Sequence, residues 1–149
     1  MRIYADSSFI VSLYVRELNT IAALREIRSI NTRGDSIYLS QLARLETTNA
    51  LHLAVFRHRV TRADLTESLK VLESNIEAGA FRIVQSPNSI WKDAEQLSEK
   101  HVPTFGYRSL DVLHVANALL LNAELFLTFD QRQRALALAA GLNAPDLNA

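Results

Sequence analysis

Residues 2–17, RIYADSSFIVSLYVRE, pose the question on which the fold turns. A short apolar run with strand character, Ile3-Tyr4-Ala5, leads directly into a carboxylate, Asp6, and two serines. A helical pattern then runs from Ser8 to about Glu17. An acid placed between a buried-looking strand and a helix start is either a turn and capping residue or one member of a site. Which of these holds depends on where the other acids of the chain fall.

Outward from this stretch, the same strand-then-helix pattern recurs. A second helix is expected over Ile21 to Thr32, ended by the Gly34-Asp35 turn. SIYLS (36–40) reads as a second strand, followed by a helix from about Gln41 to His58 with Ser40 as its N-cap. TRAD (61–64) resembles a capping box that opens a helix running to near Gly79. FRIV (81–84) is a third strand, and a helix follows from about Ile90 to Lys100. A loop with Pro103 and Gly106 then precedes a helix over Ser109 to Asn122. LFLT (125–128) is a fourth strand, and Gln131 to Ala140 a helix stopped by Gly141. Strands alternating with helices imply parallel pairing, hence an α/β fold: a three-layer α/β/α sandwich with a mainly parallel sheet of four or five strands. A fifth strand would have to come from the tail, NAPDLNA.

The chain has 149 residues and no internal repeat or linker, and is expected to form a single domain over residues 1–149. It contains no cysteine, which excludes disulfides and thiolate metal sites. Asp6 interrupts the first apolar stretch, so no signal peptide is expected. His114, Asn117, Asn122 and Glu124 interrupt the most apolar segment, so no membrane span is expected either. A cytoplasmic protein is the expectation. Sixteen basic and sixteen acidic residues cancel, so any nucleic-acid surface has to be local.

Four acids stand out once the strands are placed. In an open parallel sheet the ligand crevice lies beyond the carboxyl ends of the strands. Asp6 follows the first strand and Asp130 the fourth; Glu46 lies in the second turn of the helix leaving the second strand. Asp111 lies in the first turn of the helix that feeds the fourth strand, an end that faces the same edge. Glu46 sits among Leu42, Ala50 and Leu53, near the middle of an apolar helix face. Asp111, His114 and Asn117 form one polar stripe on an otherwise apolar helix, facing either the crevice or solvent. Asp6 and Asp130 also suit N-caps. Gathered carboxylates stay ionised only beside cations, and oxygen ligands select Mg²⁺ or Mn²⁺ over zinc. Such ions serve phosphate chemistry. Ser8, His114 and Thr128 stand where they can orient a ligand.

YADSS at the start, SQLARLETTNAL around Glu46, RSLDVLHVANALLL around Asp111 and LFLTFD ending at Asp130 together resemble the PIN domain, in particular the VapC-type toxins of bacterial toxin–antitoxin pairs. The resemblance spans essentially the whole chain. It implies a metal-dependent endoribonuclease that cuts single-stranded RNA or a structured RNA such as tRNA. Asp6, Glu46, Asp111 and Asp130 would be its catalytic acids and metal ligands. It further implies a homodimer and a small antitoxin that inserts into the cleft. Under this reading Arg44, Arg108, Arg132 and Arg134 are the arginines placed to hold RNA phosphates. A second arginine strip is expected from either Arg25, Arg28 and Arg33 or Arg57, Arg59 and Arg62.

Other classes fit the residues less well. An aspartyl phosphatase wants a second acid two residues after the first, where Ser8 stands. A phospho-receiver wants a lysine at a strand end, and Lys70, Lys92 and Lys100 all fall in helical patterns. A dinucleotide fold wants a glycine-rich turn, and the four glycines are scattered. His52 and His58 are read as surface residues, and Trp91, Phe105 and Tyr107 as core. The remaining alternative is a catalytically idle PIN-like module that binds RNA or protein.

Overall fold

Alternation along β1 (Arg2–Ala5) divides the core into two halves. Successive strand side chains point to opposite faces of a sheet. Ile3 and Ala5 accordingly join one buried cluster, and Tyr4 joins another. The computed structural model describes all 149 residues. Its elements after β1 are α1 (Ser7–Tyr14), α2 (Thr20–Arg33), β2 (Ser36–Ser40), α3 (Gln41–Phe56), α4 (Arg62–Glu77), β3 (Phe81–Val84), α5 (Ile90–Phe105), α6 (Ser109–Leu120), β4 (Leu125–Leu127) and α7 (Gln131–Ala139).

The four strands form one sheet in the order β3-β2-β1-β4, and every pairing is parallel. On one face, Ile3, Ile37, Leu39, Phe81 and Leu127 pack under residues of α1 to α4 such as Phe9, Ala23 and Leu72. On the other, Tyr4 and Phe126 stack with ring centroids 5.4 Å apart beneath α6 and α7. This is the three-layer α/β/α arrangement expected from the alternation of strand and helix patterns. From β1 the chain builds outward through β2 and β3, then returns to add β4 on the opposite side of β1. The reversal lies between β1 and β4, where doubly wound sheets open a crevice at their carboxyl ends.

Local signals account for most boundaries. Thr61 and Asp64 form the reciprocal capping box at the start of α4, at 2.9 and 3.1 Å. Four expectations need correction. First, α1 stops at Tyr14, because Val15 turns into extended backbone, and Glu17 leaves the helix. Secondly, α5 continues through Pro103 to Phe105. Proline removes one amide and crowds the preceding turn, but Pro103 is exposed and lies in the last turn. The helix closes immediately afterwards on Gly106, at φ 64, whose N–H reaches Val102 O at 2.8 Å.

Thirdly, Trp91 and Phe105 do not enter the core; they are 62% and 65% exposed, and only Tyr107 is buried. Fourthly, the tail adds no strand. It lies along the outside of β4 through a single backbone bond, Phe126 N to Asn143 O, while Ala144 and Leu147 are buried. His52 and His58 are exposed, as expected. No helix is long and apolar enough to cross a membrane.

Candidate functional site

Asp6 leaves β1 at the crevice edge and caps α1, accepting the Phe9 N–H at 3.2 Å. Two hydroxyls complete its shell: Ser8 donates to Oδ1 at 2.7 Å and Thr128 to Oδ2 at 2.5 Å. The same hydroxyls accept from the turn after β4, Ser8 from Phe129 N and Thr128 from Asp130 N. Asp6 is therefore the knot joining β1 to the end of β4, across the point where the topology reverses. Burial pushes its carboxyl above the ordinary range, opposed by the charge of His114 and by the bonds from Thr128, Ser8 and Phe9.

Glu46 stands at the margin of the buried stripe of α3, which is made by Ala43, Thr47, Leu51 and Ala54. It is not at the centre of an apolar face, as the wheel implies; its side chain is 28% exposed. Its Oε1 accepts Ser7 Oγ at 3.3 Å and lies 2.5 Å from His114 Nε2. No hydrogen bond engages its Oε2, which is left for a ligand or a water.

The polar stripe of α6 is turned inward: Asp111, His114 and Asn117 are all buried. His114 Nδ1 lies 2.8 Å from Tyr4 Oη, which donates to Ser40 Oγ at 2.9 Å. Burial above all, then the charges of Asp6 and Glu46, push the Tyr4 phenol upward, against the bond to Ser40. Tyr4 thus stays a neutral phenol with a single proton to give. A rigid chain from the end of β2 through Tyr4 to His114 fixes the imidazole that touches Glu46.

Asp111 and Asp130 meet across the crevice through one guanidinium. Arg108 places Nε 3.1 Å from Asp111 Oδ2 and Nη2 3.4 Å from Asp130 Oδ2. Its backbone N–H also reaches Asp111 at 3.3 Å, fixing the start of α6. The bond to Asp111 and the charges of Asp111, Asp130 and Glu46 raise the Arg108 pKa. Asp130 meanwhile caps α7, its Oδ1 accepting the N–H groups of Arg132 and Gln133.

The four acids therefore lie at the carboxyl edge of the sheet in two hydrogen-bonded sets: Asp6, Asp130 and Asp111 joined through Thr128 and Arg108, and Glu46 with Ser7, His114 and Tyr4. They do not converge as a tight cage: no three acidic or imidazole side chains stand close enough to hold one ion between them. Asp111 and Asp130 alone share a cationic centre, and both offer hard oxygen donors. Magnesium is commonly held by one or two carboxylates with the rest of its shell water. The donor set suits such an ion at this pair, with Glu46 and Asp6 flanking it.

Of the four arginines placed near the site, only Arg108 reaches the acids. Arg44 pairs with Glu73 at 2.9 Å, and Arg134 is tied to Ala144 O at 2.9 Å. Arg132 is exposed and makes no side-chain ion pair or hydrogen bond. Four further contributors escape a reading of the sequence. Tyr4 is legible in principle, because residues two apart on a strand share a face and Asp6 follows it by two. Ser7 reads only as a cap, yet it also binds Glu46. Buried Gln133 ties α7 to α6 by donating to Asp111 O at 2.9 Å, which no spacing rule reveals. Glu17, bonded by Ser12 at 2.5 Å, lines the cleft beside Ser7, Ser8 and Asp130. Its place at the end of a helical pattern hides it.

A family model described as the PIN domain matches residues 3–138. Among solved structures, the FitAB complex bound to an IR36 DNA fragment is similar at 16% identity and a TM-score of 0.70, over 97% of this chain and 94% of that one. The VapC20 protein of Mycobacterium tuberculosis, described as a sarcin–ricin loop cleaving toxin, is 17% identical with a TM-score of 0.65, over 94% and 95% of the two chains. PAE2754 of Pyrobaculum aerophilum is 19% identical with a TM-score of 0.65, over 97% of this chain and 83% of that one. No curated protein sequence matches the chain.

Proposed function

The chain belongs to the PIN-domain family, and from that premise we propose that it is a metal-dependent endoribonuclease, the toxin of a toxin–antitoxin pair. The observation that carries this reading is the gathering of Asp6, Asp111 and Asp130, joined through Thr128 and Arg108, at the reversal between β1 and β4, with Glu46 held beside them by Ser7 and His114. Support for RNA as substrate comes from VapC20, a similar fold described as cleaving the sarcin–ricin loop. Single-stranded or structured RNA, tRNA included, is the substrate class. A small antitoxin is the proposed inhibitor and a homodimer the proposed assembly.

Asp111 and Asp130 would hold Mg²⁺ or Mn²⁺, with Asp6 and Glu46 completing the acidic shell. When bound, such an ion supplies polarisation of the phosphoryl oxygen and a more acidic attacking water. The chain's own groups do the rest. Glu46, anchored through Oε1, presents Oε2 as the proton acceptor for that water. His114 and Ser7 keep this carboxylate in place. Arg132 on α7 holds a substrate phosphate, and Arg108 is within reach of another.

A catalytically idle PIN-like module, binding RNA or protein, is favoured by one observation: no three acids converge. The deciding experiment incubates purified, antitoxin-free protein with labelled single-stranded RNA and tRNA in Mg²⁺, Mn²⁺ or EDTA, beside Asp111→Asn. Cleavage that needs metal and is lost in the variant is the expected result. Intact RNA in every lane, with a melting temperature that Mn²⁺ leaves unchanged, would select the idle module.

A further inference from the structure

We propose that Arg108 is a cation gate: its guanidinium holds Asp111 and Asp130 together in the place of a divalent ion, and an ion enters only when that side chain swings out. The inference rests on the metal-dependent reading above and adds a built-in competitor to it.

Three observations carry it. The guanidinium bridges both acids, but loosely, at 3.1, 3.5 and 3.4 Å. Strong charge-assisted bonds are shorter, roughly 2.7–2.9 Å. The Arg108 side chain is 66% exposed, whereas that of Asp111 is 8% exposed. It can leave into solvent without repacking the core, while its backbone stays fixed as the N-cap of α6. Finally, the other acids have no exchangeable counter-charge. Asp6 accepts only from neutral donors, two hydroxyls and an amide fixed by the backbone around them, and Glu46 is held by Ser7 and buried His114. Of the four, only the Asp111–Asp130 pair is closed by a group that can be exchanged for an ion.

Competition for the same oxygens has a measurable consequence. Apparent affinity falls by the fraction of molecules competent to bind. A guanidinium seated nine-tenths of the time weakens ion binding by about tenfold. Removing it should restore that factor. Lysine should restore only part, because a compact ammonium cannot bridge two carboxylates as a fork.

The test is Mn²⁺ binding to the full chain without RNA, by calorimetry and by loss of the free-ion electron paramagnetic resonance signal. Arg108→Gln is expected to tighten the Kd about tenfold, with Arg108→Lys in between. Arg132→Gln removes the same charge from the first turn of α7, where the side chain bonds no acid and the backbone N–H to Asp130 is kept, so it reports the general field. It is expected to change the Kd by less than about twofold. Binding that appears only in Arg108→Gln would also support the gate. An Arg108→Gln Kd no tighter than that of Arg132→Gln overturns it, even if Asp111→Asn abolishes binding and so upholds the metal site. Failure of every variant and of the wild type to bind Mn²⁺ overturns the metal site and the gate together.

Discussion

Asp6 and Asp111 lie at the same edge of the sheet and are nearly equally buried, at 3% and 5% exposure. What faces them differs. Asp6 receives neutral donors from Ser8, Thr128 and Phe9, all fixed by the backbone around them. Asp111 faces the charged, exposed end of Arg108, which it shares with Asp130. Neutral donors inside a protein cannot be traded for a cation without leaving polar groups unpaired. An exposed arginine can. The first acid is bound into the architecture, and the second is held ready for exchange.

The strongest way to break this contrast is to remove each charge in turn. Asp111→Asn is expected to reduce metal-dependent RNA cleavage by on the order of 100-fold or more. Its melting temperature should stay close to that of the wild type. If cleavage survives, Asp111 is no more than a helix-start residue. Asp6→Ala should be felt in folding as well as in cleavage, because it strands two hydroxyls and one amide. A loss of about 3 kcal/mol in urea unfolding is expected, and a loss below about 1 kcal/mol would reduce Asp6 to an ordinary cap.

Between these extremes lies His114, which acts through Glu46. His114→Gln and Tyr4→Phe should lower cleavage by about 10-fold to 100-fold. The effect runs through the position of the Glu46 carboxylate. In a Glu46→Asp background, whose shorter side chain no longer reaches the imidazole, both substitutions should therefore make no further difference to cleavage. The smallest effect belongs to a cap remote from the edge. Thr61→Ala should cost about 1 kcal/mol and leave cleavage unchanged. Its partner Asp64 is held below the ordinary value of 3.8 by the Thr61 backbone N–H and then its hydroxyl. A lowered acid stabilises the fold above its unfolded value and loses that contribution as pH falls through the folded one. The Asp64→Ala deficit should accordingly be full at neutral pH and vanish in strong acid, as chemical unfolding at the two pH values would read.

Legibility follows the range of the interactions. All four strands are readable within about a residue at each end, because alternation and apolar runs are local. The caps at Ser40, Thr61 and Gly34 are readable for the same reason. Pro103 misleads, since its exposed position in a last turn is a tertiary fact that spacing does not carry. Trp91 and Phe105 mislead likewise: aromatic character suggests burial, but the residues around them decide it. The four acids can be placed at one edge from topology alone. How they are satisfied cannot, because Tyr4 meets His114 and Ser8 meets Thr128 across 110 and 120 residues.

That separation bears on the order of events when the chain is made. Of the four strands β1 is synthesised first, yet it lies inside the sheet, and its second neighbour, β4, is made last. Pairings between distant segments form late, because a long loop must close first. Asp6 gains Thr128, and the edge gains Asp130, only when β4 and the turn after it have emerged. A nascent chain arrested before residue 125 should carry three of the acids and cut nothing, so activity would arrive in a single step, with the last strand.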